Sequence, residues 1–268
     1  MDTKDLITIY IPTFNRLSLL KRAIESILAQ TYQNFEVIII DDNSTDGTHN
    51  YLKKISLYDS RIRYFLKEEN SGACISRNMA IESAKGKYIT GLDDDDYFLP
   101  NRLEEFINYW SLKNKDTIAL TSGYQKPNHS SLRNKPMLIK QKDLLFGNFV
   151  GNQIFTETQT LQKLNGFDNH LKMWQDLDMW YRVLSLGNIQ KIPHVTYFFD
   201  TNHLLGRISD ARENKILETK QYFVEKHMLT SFEERMLNNH LYSYGIFRKK
   251  DQFANICKEI NKLIRKFR

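Results

Sequence analysis

The sequence predicts an α/β fold: a doubly wound, mostly parallel sheet flanked by helices, followed by a C-terminal helical appendage. Two observations carry this prediction. Over the first hundred residues, short apolar runs alternate with segments whose apolar residues recur at helical spacing. The second run, "FEVIIIDD", contains continuous apolar residues up to its closing acids, as a strand buried on both faces of a parallel sheet requires. Strands that alternate with helices in this way form βαβ units with right-handed crossovers.

The first hundred residues supply four strands and three helices in alternation. Strands are predicted at "LITIYIP" (6–12), "FEVIIIDD" (35–42), "RIRYFLK" (61–67) and "KYITGLD" (87–93). Helices are predicted within "LSLLKRAIESILAQ" (17–30), "DNSTDGTHNYLKKI" (42–55) and "ACISRNMAIESAKG" (73–86). Asp46 or Thr45 is expected to cap the second helix, and Gly86 stops the third.

The rest of the chain is less regular. A helix at 102–113 and a strand at 117–124 precede a polar stretch, 125–150, that is expected to be a loop. An amphipathic helix, "WQDLDMWYRVLSLG" (174–187), ends at Gly187, and the strand "HVTYFFD" (194–200) follows. Helices are then predicted over 209–228, 232–247 and 251–267, the second opened by a capping box of Ser231 and Glu234.

The net charge of +6 is confined to the end of the chain. Residues 248–268 carry eight Lys/Arg and two acids, so the other 247 residues sum to zero. A basic tail is not a basic domain, which argues against nucleic acid as a partner. The two cysteines lie far apart and form no zinc-type pair. The N-terminus lacks a signal-peptide pattern and no apolar run is long enough to span a membrane, so we expect a cytoplasmic protein.

Three polar clusters fall where predicted strands end. They are "PTFNR" (12–16), "DDNSTDGT" (41–48) and "DDDD" (93–96). Open α/β sheets bind ligands beyond the carboxyl ends of their strands, so we expect these clusters to meet in one site. Adjacent carboxylates repel one another, and a divalent cation that also binds phosphate would relieve that repulsion. The glycine-rich phosphate motifs GxGxxG and GxxxxGK[ST] are absent, which argues against a dinucleotide oxidoreductase and a P-loop NTPase.

These motifs resemble those of the family 2 inverting glycosyltransferases, which have the GT-A fold. The resemblance rests on "IPTFNR", "FEVIIIDDNSTDGT", "NSGACISRNMAIESAKGKYITGLDDDDYFLP" and "LNGFDNHLKMWQDLDMWYRVLSLG", and it covers roughly residues 5–187. It implies a metal-dependent enzyme that moves a sugar from a nucleoside diphosphate donor to an acceptor hydroxyl with inversion. It also implies a GT-A domain over 1–208, with a nucleotide-binding half (1–100) and an acceptor half (101–208), before a helical region over 209–268.

The resemblance assigns the nucleotide and metal sites residue by residue. The nucleotide pocket would be lined by Pro12, Thr13, Phe14, Asn15 and Arg16, with Arg77 nearby. Asp42 would accept a hydrogen bond from the base, usually uracil. The family pattern LDxDDxxxP is matched by Leu92, Asp93, Asp95, Asp96 and Pro100. Within this pattern, Asp93 and Asp94 would face the ribose and diphosphate, and Asp95 would bind Mn²⁺ or Mg²⁺.

The resemblance places the catalytic base at Asp176. The family has a Glu-Asp pair there, whereas this chain has Gln175 and Asp176, so the Glu is missing. Asp178 is the alternative base, and His203 and Arg207 are candidates for contacts to the metal or the diphosphate. Inversion needs a base opposite the leaving group and a Lewis acid on the diphosphate. The two acidic segments would supply one of each.

The family implies a UDP-sugar donor, such as UDP-glucose, UDP-galactose or an N-acetylated relative. It implies a saccharide acceptor from O-antigen, capsule or lipooligosaccharide assembly, with a polyprenyl diphosphate carrier as one option. Two alternatives stay open. A nucleotidyltransferase that makes a nucleotide sugar would carry a glycine-rich, basic loop where this chain has "PTFNRLSLL". A non-catalytic module that binds nucleotide or sugar is favoured only by the missing Glu.

The last predicted helix has an apolar stripe beside basic residues. The stripe is formed by Phe253, Ile256, Cys257, Ile260, Leu263, Ile264 and Phe267. Outside it fall most of Lys258, Lys262, Arg265, Lys266 and Arg268. The stripe is suited to packing on the preceding helix. The basic residues are expected to hold the enzyme against the anionic inner face of the plasma membrane.

Overall fold

The computed structural model describes residues 5–127, 137–202 and 213–242, together with Tyr244 and Ile246. Several predictions fall outside these residues. They concern the contacts of His203 and Arg207, the start of the helix predicted over 209–228, and the basic helix over 251–267 with its membrane contact. All of these stay predictions.

Strands and helices alternate through the first hundred residues, as predicted. The strands of the described residues are β1 (Ile7–Thr13), β2 (Phe35–Asp41), β3 (Ile62–Leu66), β4 (Tyr88–Gly91), β5 (Tyr97–Phe98), β6 (Thr117–Gln125), β7 (Met137–Ile139), β8 (Phe155–Glu157) and β9 (Asn188–Phe198). The helices of the same residues are α1 (Leu17–Leu28), α2 (Thr48–Tyr58), α3 (Ala73–Ser83), α4 (Arg102–Leu112), α5 (Thr158–Lys163), α6 (Gln175–Val183), α7 (Glu213–Lys226), α8 (Ser231–Leu237) and α9 (Asn239–Tyr242), with a 3₁₀ helix over Gln141–Leu145.

All of these strands join one sheet. Their order is β3-β2-β1-β4-β8-β6-β9-β5, and β7 pairs with β9. The pairs β1–β2, β1–β4, β2–β3 and β6–β9 are parallel, while β8 runs antiparallel between β4 and β6. Six of the nine described strands therefore share one direction, and β5, β7 and β8 oppose it. The prediction of a mostly parallel α/β sheet is confirmed.

The first strands end nearly level with one another. Thr13 of β1 pairs with Asp41 of β2, and Tyr10 of β1 pairs with Gly91 of β4. The polar clusters that follow β1, β2 and β4 therefore lie at one edge of the sheet. Because β6 and β9 run in the same direction as these strands, their carboxyl ends reach that edge too.

The sheet is buried on both faces because alternate side chains of a strand enter different cores. In β2, Val37 and Ile39 belong to the core that includes side chains of α1 and α4. Ile38 and Ile40 belong to the other core, with side chains of α3 and α6. This arrangement explains why the run "FEVIII" is apolar without alternation.

The described helices after residue 212 pack on the second of these cores. Phe223 of α7 and Leu237 of α8 are fully buried in the cluster that contains Trp174 and Trp180 of the α6 segment. The predicted division at residue 208 stays a prediction, but α7 and α8 share a core with the sheet. No helix in the described ranges is both long enough and apolar enough to cross a bilayer.

The predicted cap of α2 is wrong by at least one residue. Gly47, with a φ of 92°, holds the N-cap position instead of Thr45 or Asp46. Asp46 lies one residue before the N-cap of α2 and binds the starts of two helices. Its carboxylate accepts from the hydroxyl of Thr48 at 2.6 Å and from the backbone N–H of Leu17 at 2.8 Å. The acid therefore ties the start of α2 to the start of α1.

The predicted capping box of the C-terminal region also lies one residue too late. Thr230 and Glu233 form the box, not Ser231 and Glu234. The stretch "TSFEE" contains two overlapping patterns of the same kind, and the local sequence does not choose between them. Within its described part, the helix predicted over 232–247 is divided into α8 and α9.

The stretch 125–150 contains more structure than the predicted loop. Its described part includes β7 and the 3₁₀ helix, and β7 pairs with β9. β9 itself begins at Asn188, earlier than the strand predicted at 194–200. Both differences arise from pairing between distant segments, which a short window of sequence does not record.

Glu36 joins several segments at the edge of the sheet opposite the polar clusters. Its carboxylate accepts from the backbone N–H of Lys85 at 2.6 Å, the hydroxyl of Thr8 at 2.7 Å and the guanidinium of Arg63 at 2.8 Å. Burial alone would raise the pKa of Glu36, but hydrogen bonds from Lys85, Thr8 and Arg63 lower it below the usual value. The ionised form therefore stabilises the fold.

We expect Glu36→Gln to lower the free energy of unfolding by about 1–3 kcal/mol near neutral pH, because it removes an ionised acceptor from three donors. Since the folded-state pKa is lowered, the contribution is full above the reference value of 4.5 and is lost as the pH falls through the folded-state pKa. Denaturant titrations across this pH range measure the difference. Glu25→Gln, at an exposed position of α1, is the control and should change little. Equal stability of Glu36→Gln and wild type at neutral pH would contradict the assignment.

Candidate active site

A cavity of about 550 Å³ lies at the carboxyl-end edge of the sheet. Its walls include the turns after β1, β2 and β4 and the start of α6. The sequence-predicted residues that line it are Pro12, Thr13, Phe14, Arg16, Asp42, Arg77, Asp93, Asp94, Asp95 and Asp176. The polar clusters after three strands therefore meet in one place.

Asn15 belongs to the first predicted cluster but does not line the cavity. Its backbone N–H donates to Ser44 Oγ at 2.8 Å, and its Oδ1 accepts from the N–H of Thr45 at 2.7 Å. Its φ of 51° is in the left-handed region, which Asn adopts more readily than most residues. Asn15 joins the turns after β1 and β2, so it positions the residues that do face the cavity.

Asp42 is buried at the end of β2, with 4% of its surface exposed. Its carboxylate accepts from the backbone N–H groups of Ser71 at 3.0 Å and Gly72 at 2.8 Å, and it pairs with Lys67. These contacts hold the loop before α3 against β2. An ionised carboxylate has about four acceptor sites, and the three contacts leave one for a donor in the cavity.

Asp94 and Asp95 converge on one guanidinium. Arg16 Nη1 lies 3.0 Å from Asp94 Oδ1 and 3.1 Å from Asp95 Oδ2. The hydroxyl of Thr13 donates to Asp94 at 2.8 Å. Burial raises the pKa of Asp94 to about 6, although the charge of Arg16 opposes the shift. The two adjacent carboxylates after β4 thus share the positive charge of the Arg16 guanidinium.

The acidic lining fits a divalent cation that arrives with its substrate. Among the described lining residues, five carboxylates face two guanidinium groups, so three negative charges are in excess. No group of three or more His, Cys, Asp or Glu side chains in the described residues is arranged to hold a metal. Mg²⁺ is commonly held by one or two carboxylates plus phosphate oxygens, and carboxylates also suit Mn²⁺. Asp95, with Asp94 beside it, offers that donor set.

Asp96 is the structural member of the acidic run. It is fully buried and does not line the cavity. It accepts from the hydroxyl of Tyr197 at 2.7 Å and from the backbone N–H of Asp200 at 2.9 Å. Burial and the neighbouring charges of Asp93 and Asp95 raise its pKa well above the usual range. Asp96 therefore fastens the turn after β4 to the end of β9.

Arg77 joins the two sides of the cavity. Its Nη2 lies 3.0 Å from Asp93 Oδ1, and its Nη1 donates to Gln175 Oε1 at 2.7 Å. Gln175 stands where the family pattern has Glu, and its amide oxygen keeps an acceptor for Arg77. Gln175 therefore adds no negative charge to the site, and its hydrogen bond with Arg77 links α6 to α3.

Asp176 lies in the first turn of α6 and faces the cavity. The preceding Trp174 has a φ of 57°, a left-handed conformation that is strained for a bulky residue. Trp174 is held by its indole N–H, which donates to Tyr244 Oη at 3.2 Å. Asp176 Oδ2 accepts from the amide of Asn148 at 2.7 Å. Burial raises the pKa of Asp176, which brings it toward the range that a general base needs.

Asp178, the alternative base, does not line the cavity. It is fully buried and lies 2.9 Å from Arg182, 2.8 Å from Lys226 and 2.9 Å from His227. Burial opposes its ionisation, but the hydrogen bond from His227 and the charges of Arg182 and Lys226 lower its pKa. A carboxylate held by three basic side chains is a poor base, so the geometry favours Asp176.

Several cavity residues were missed by sequence reasoning. They are Asn70, Gly72, Ala73, Ser76, Asn152, Phe167, Met173, Phe199 and Tyr244. Asn148, the partner of Asp176, was missed as well. Asn148 and Asn152 come from the loop before β8, and Tyr244 follows α9. No local pattern marks Asn148, Asn152 or Tyr244, because their place in the cavity depends on how distant segments pack. Asn70, Gly72, Ala73 and Ser76, in contrast, lie within the motif "NSGACISRN", which could have indicated them.

Comparison with known sequences identifies the family. The family described as Glycosyl transferase family 2 matches residues 8–174. The chain is 37% identical over 236 residues to WcaA of Escherichia coli K12, named as a glycosyl transferase of colanic acid biosynthesis, with 85% of this chain and 83% of WcaA covered. It is 33% identical over 220 residues to WfgD of Escherichia coli, a UDP-Glc:alpha-D-GlcNAc-diphosphoundecaprenol beta-1,3-glucosyltransferase, with 81% of this chain and 83% of WfgD covered.

The fold has a close counterpart among solved structures. Residues 1–349 of S. aureus TarS, in complex with UDP-GlcNAc, superpose with a TM-score of 0.73 at 18% identity, covering 88% of this chain and 72% of that chain. At such low identity the likeness concerns the fold, and the predicted GT-A fold is confirmed. Since the family match covers more than half of the sequence, the chain belongs to glycosyl transferase family 2.

Proposed function

We propose that the protein is a metal-dependent, inverting glycosyltransferase of bacterial surface-polysaccharide assembly, which uses a UDP-sugar and a saccharide acceptor. One observation carries the proposal: Asp94 and Asp95 lie in the same cavity as Asp176, with each acidic site on a different element. Relatives named for colanic acid biosynthesis and for glucosyl transfer to a diphosphoundecaprenol-linked sugar support this substrate class. A cytoplasmic location and a lipid-linked acceptor are parts of the same proposal.

The donor would occupy the side of the cavity formed by the turns after β1, β2 and β4. Asp42 has one acceptor site left for a base N–H, as uracil offers. Asp93 and Asp94 would face the ribose and diphosphate. Asp95 would hold Mn²⁺ or Mg²⁺, which when bound supplies Lewis-acid stabilisation of the leaving diphosphate. Arg16 lies beside both carboxylates, and its guanidinium is suited to phosphate oxygens.

Asp176 would take the proton from the acceptor hydroxyl. Inversion requires this base to lie opposite the leaving group, and Asp176 comes from α6 rather than from the turns that form the donor side. Asn148 orients its carboxylate through the 2.7 Å hydrogen bond. The contact between Arg77 and Gln175 fixes the start of α6 relative to Asp93. The base is therefore positioned by two separate parts of the chain.

The two alternative functions are less well supported. A nucleotidyltransferase would need a phosphate-binding loop after β1, but that segment enters α1 directly and Arg16 there binds two carboxylates. The non-catalytic module was favoured by the missing Glu. Gln175 keeps the contact with Arg77, so this support is weakened.

We expect Asp95→Ala to abolish transfer and to weaken the Mn²⁺-dependent part of UDP binding, because a metal-binding carboxylate is lost. Calorimetric titration of UDP with Mn²⁺ and with EDTA measures that part, and UDP release measures transfer. Asp59→Ala is the control, since Asp59 pairs with Arg61 and does not line the cavity. Full activity of Asp95→Ala, or of wild type in EDTA, would refute the metal assignment.

We expect Asp176→Asn to lower turnover by about 10²-fold or more with little change in UDP affinity, because the side chain keeps its shape but loses its basicity. Since its pKa is raised, wild-type activity should fall on the acid side as Asp176 becomes protonated. Asp178→Asn is the matched variant. It should lower the melting temperature while each folded molecule still turns over, and the opposite pattern would move the base to Asp178.

We expect Asp42→Ala to weaken UDP binding by about 1.5–3 kcal/mol, the value of a hydrogen bond to a charged group. The affinity for pyrophosphate with Mn²⁺ should change little, because that ligand lacks the base. Competition titrations against a fluorescent nucleotide measure both. Tighter binding of ADP or GDP than of UDP by the wild-type protein would overturn the uridine assignment.

A further inference from the structure

A second cavity, of about 250 Å³, lies at the same edge of the sheet. It is formed largely by the carboxyl ends of β6 and β9 and by the loop before β8. It adjoins the first cavity, since Asn152 and Phe199 line both. It also reaches the proposed base, because Asn148 lines it and donates to Asp176. The second cavity therefore continues the site away from the donor side.

Lys126 is one of two basic residues that line this cavity. It directly follows β6, and its Nζ lies 5.5 Å from the ring centre of Tyr124 and 5.2 Å from that of Phe199. No acidic side chain of the described residues pairs with it. The aromatic rings hold the ammonium group at the wall and leave its N–H donors for another acceptor.

Arg102, the other basic residue, is 1% exposed. Its guanidinium donates to the hydroxyls of Ser122 at 2.8 Å and Thr196 at 2.9 Å, both neutral, and its Nε has no partner in the described structure. Burial lowers the pKa of Arg102 to about 9. Buried charges are ordinarily paired with an opposite charge, and no carboxylate of the described residues pairs with this one.

Aromatic rings explain how Arg102 is accommodated, but not why it is charged. The guanidinium lies 4.7 Å from the ring centre of Phe98, 4.6 Å from that of Phe106 and 5.0 Å from that of Tyr197. An aliphatic side chain would fill such a cage without the desolvation cost of a charge. The positive charge beneath the cavity is therefore a feature that packing alone does not require.

Three acids contact residues that line the cavity, but none of them lines it. Asp176 accepts from the amide of Asn148, Asp96 from the hydroxyl of Tyr197, and Asp93 from the amide of Gln153. The described lining itself contains two basic side chains and no acidic one. In low-dielectric surroundings such an imbalance favours an anion.

We propose that the second cavity binds an anionic group of the acceptor, a carboxylate or a phosphate, while the acceptor hydroxyl meets Asp176. This inference rests on the proposed transferase function and narrows its acceptor to an acidic saccharide or a saccharide phosphate. Lys126, in the wall of the cavity, contacts the anion directly. Arg102, which is buried next to the cavity, stabilises the anion through its positive charge. A neutral acceptor would leave both charges uncompensated.

The test compares three probes on the full chain saturated with UDP and Mn²⁺, so that the donor side is filled. The probes are methyl β-D-glucuronide, methyl β-D-glucoside and N-acetylglucosamine 1-phosphate, titrated by ligand-observed NMR. We expect one anionic probe to bind about fivefold more tightly than the neutral glucoside, a preference that added salt reduces. A preference for the glucuronide identifies a carboxylate, and a preference for the phosphate identifies a phosphorylated acceptor.

Lys126→Gln should abolish the preference. Lys113→Gln is the matched control, because Lys113 also lies over a ring, 4.6 Å from that of Trp110, but does not line the cavity. Equal binding of all three probes by wild type, or a preference that survives Lys126→Gln, overturns the inference. Titration of UDP with Mn²⁺ into separate samples of the same protein, before any probe is added, separates failure of this inference from failure of the transferase proposal. UDP binding without an anion preference rejects the acceptor inference alone, whereas absent UDP binding rejects the transferase proposal and this inference with it.

Discussion

The repulsion among the four adjacent carboxylates of the run 93–96 has to be offset by partners, and this constraint organises the cavity half of the protein. The residues that satisfy the run 93–96 are far apart in sequence: Arg16 before α1, Arg77 in α3 and Tyr197 in β9. The turn after β4 is therefore the point at which three separate elements are joined. The negative charge that remains in excess on the cavity lining favours a cation there.

The same turn links the two halves of the proposed reaction. Arg77 binds Asp93 in the turn after β4 and Gln175 at the start of α6, so these contacts fix the position of the segment that carries Asp176 relative to that turn. On the side of α6 away from the cavity, Asp178 forms an ion pair with Lys226 of α7, which holds α6 in place. The proposed base is thus held on an element that is fixed from both sides, as a step that depends on geometry requires.

Much of the fold could be predicted because β1 and β2 are largely apolar, fully buried runs bounded by polar turns, and helical periodicity separates the strands that follow. The positions of Asp42 and of the run 93–96 followed from the same logic, since parallel strands end at one edge. The role of Asp176 did not, because an acid on an amphipathic helix is usually solvated, and only the family resemblance singled it out. The positions of Asn148 and Lys126 in the cavities were not predictable from local sequence, because they depend on which loops meet across the sheet.

The position of Tyr244 has a consequence for how the protein is made. Its hydroxyl accepts from Trp174, and its side chain lines the cavity, yet it follows the acidic run by roughly 150 residues. At about 5–20 residues per second, a ribosome needs on the order of 10–30 s to add that stretch. The βαβ half can form its sheet during this interval, but Trp174 lacks its partner and the cavity lacks one wall. A nascent chain would therefore have the βαβ half of the sheet before its cavity is complete.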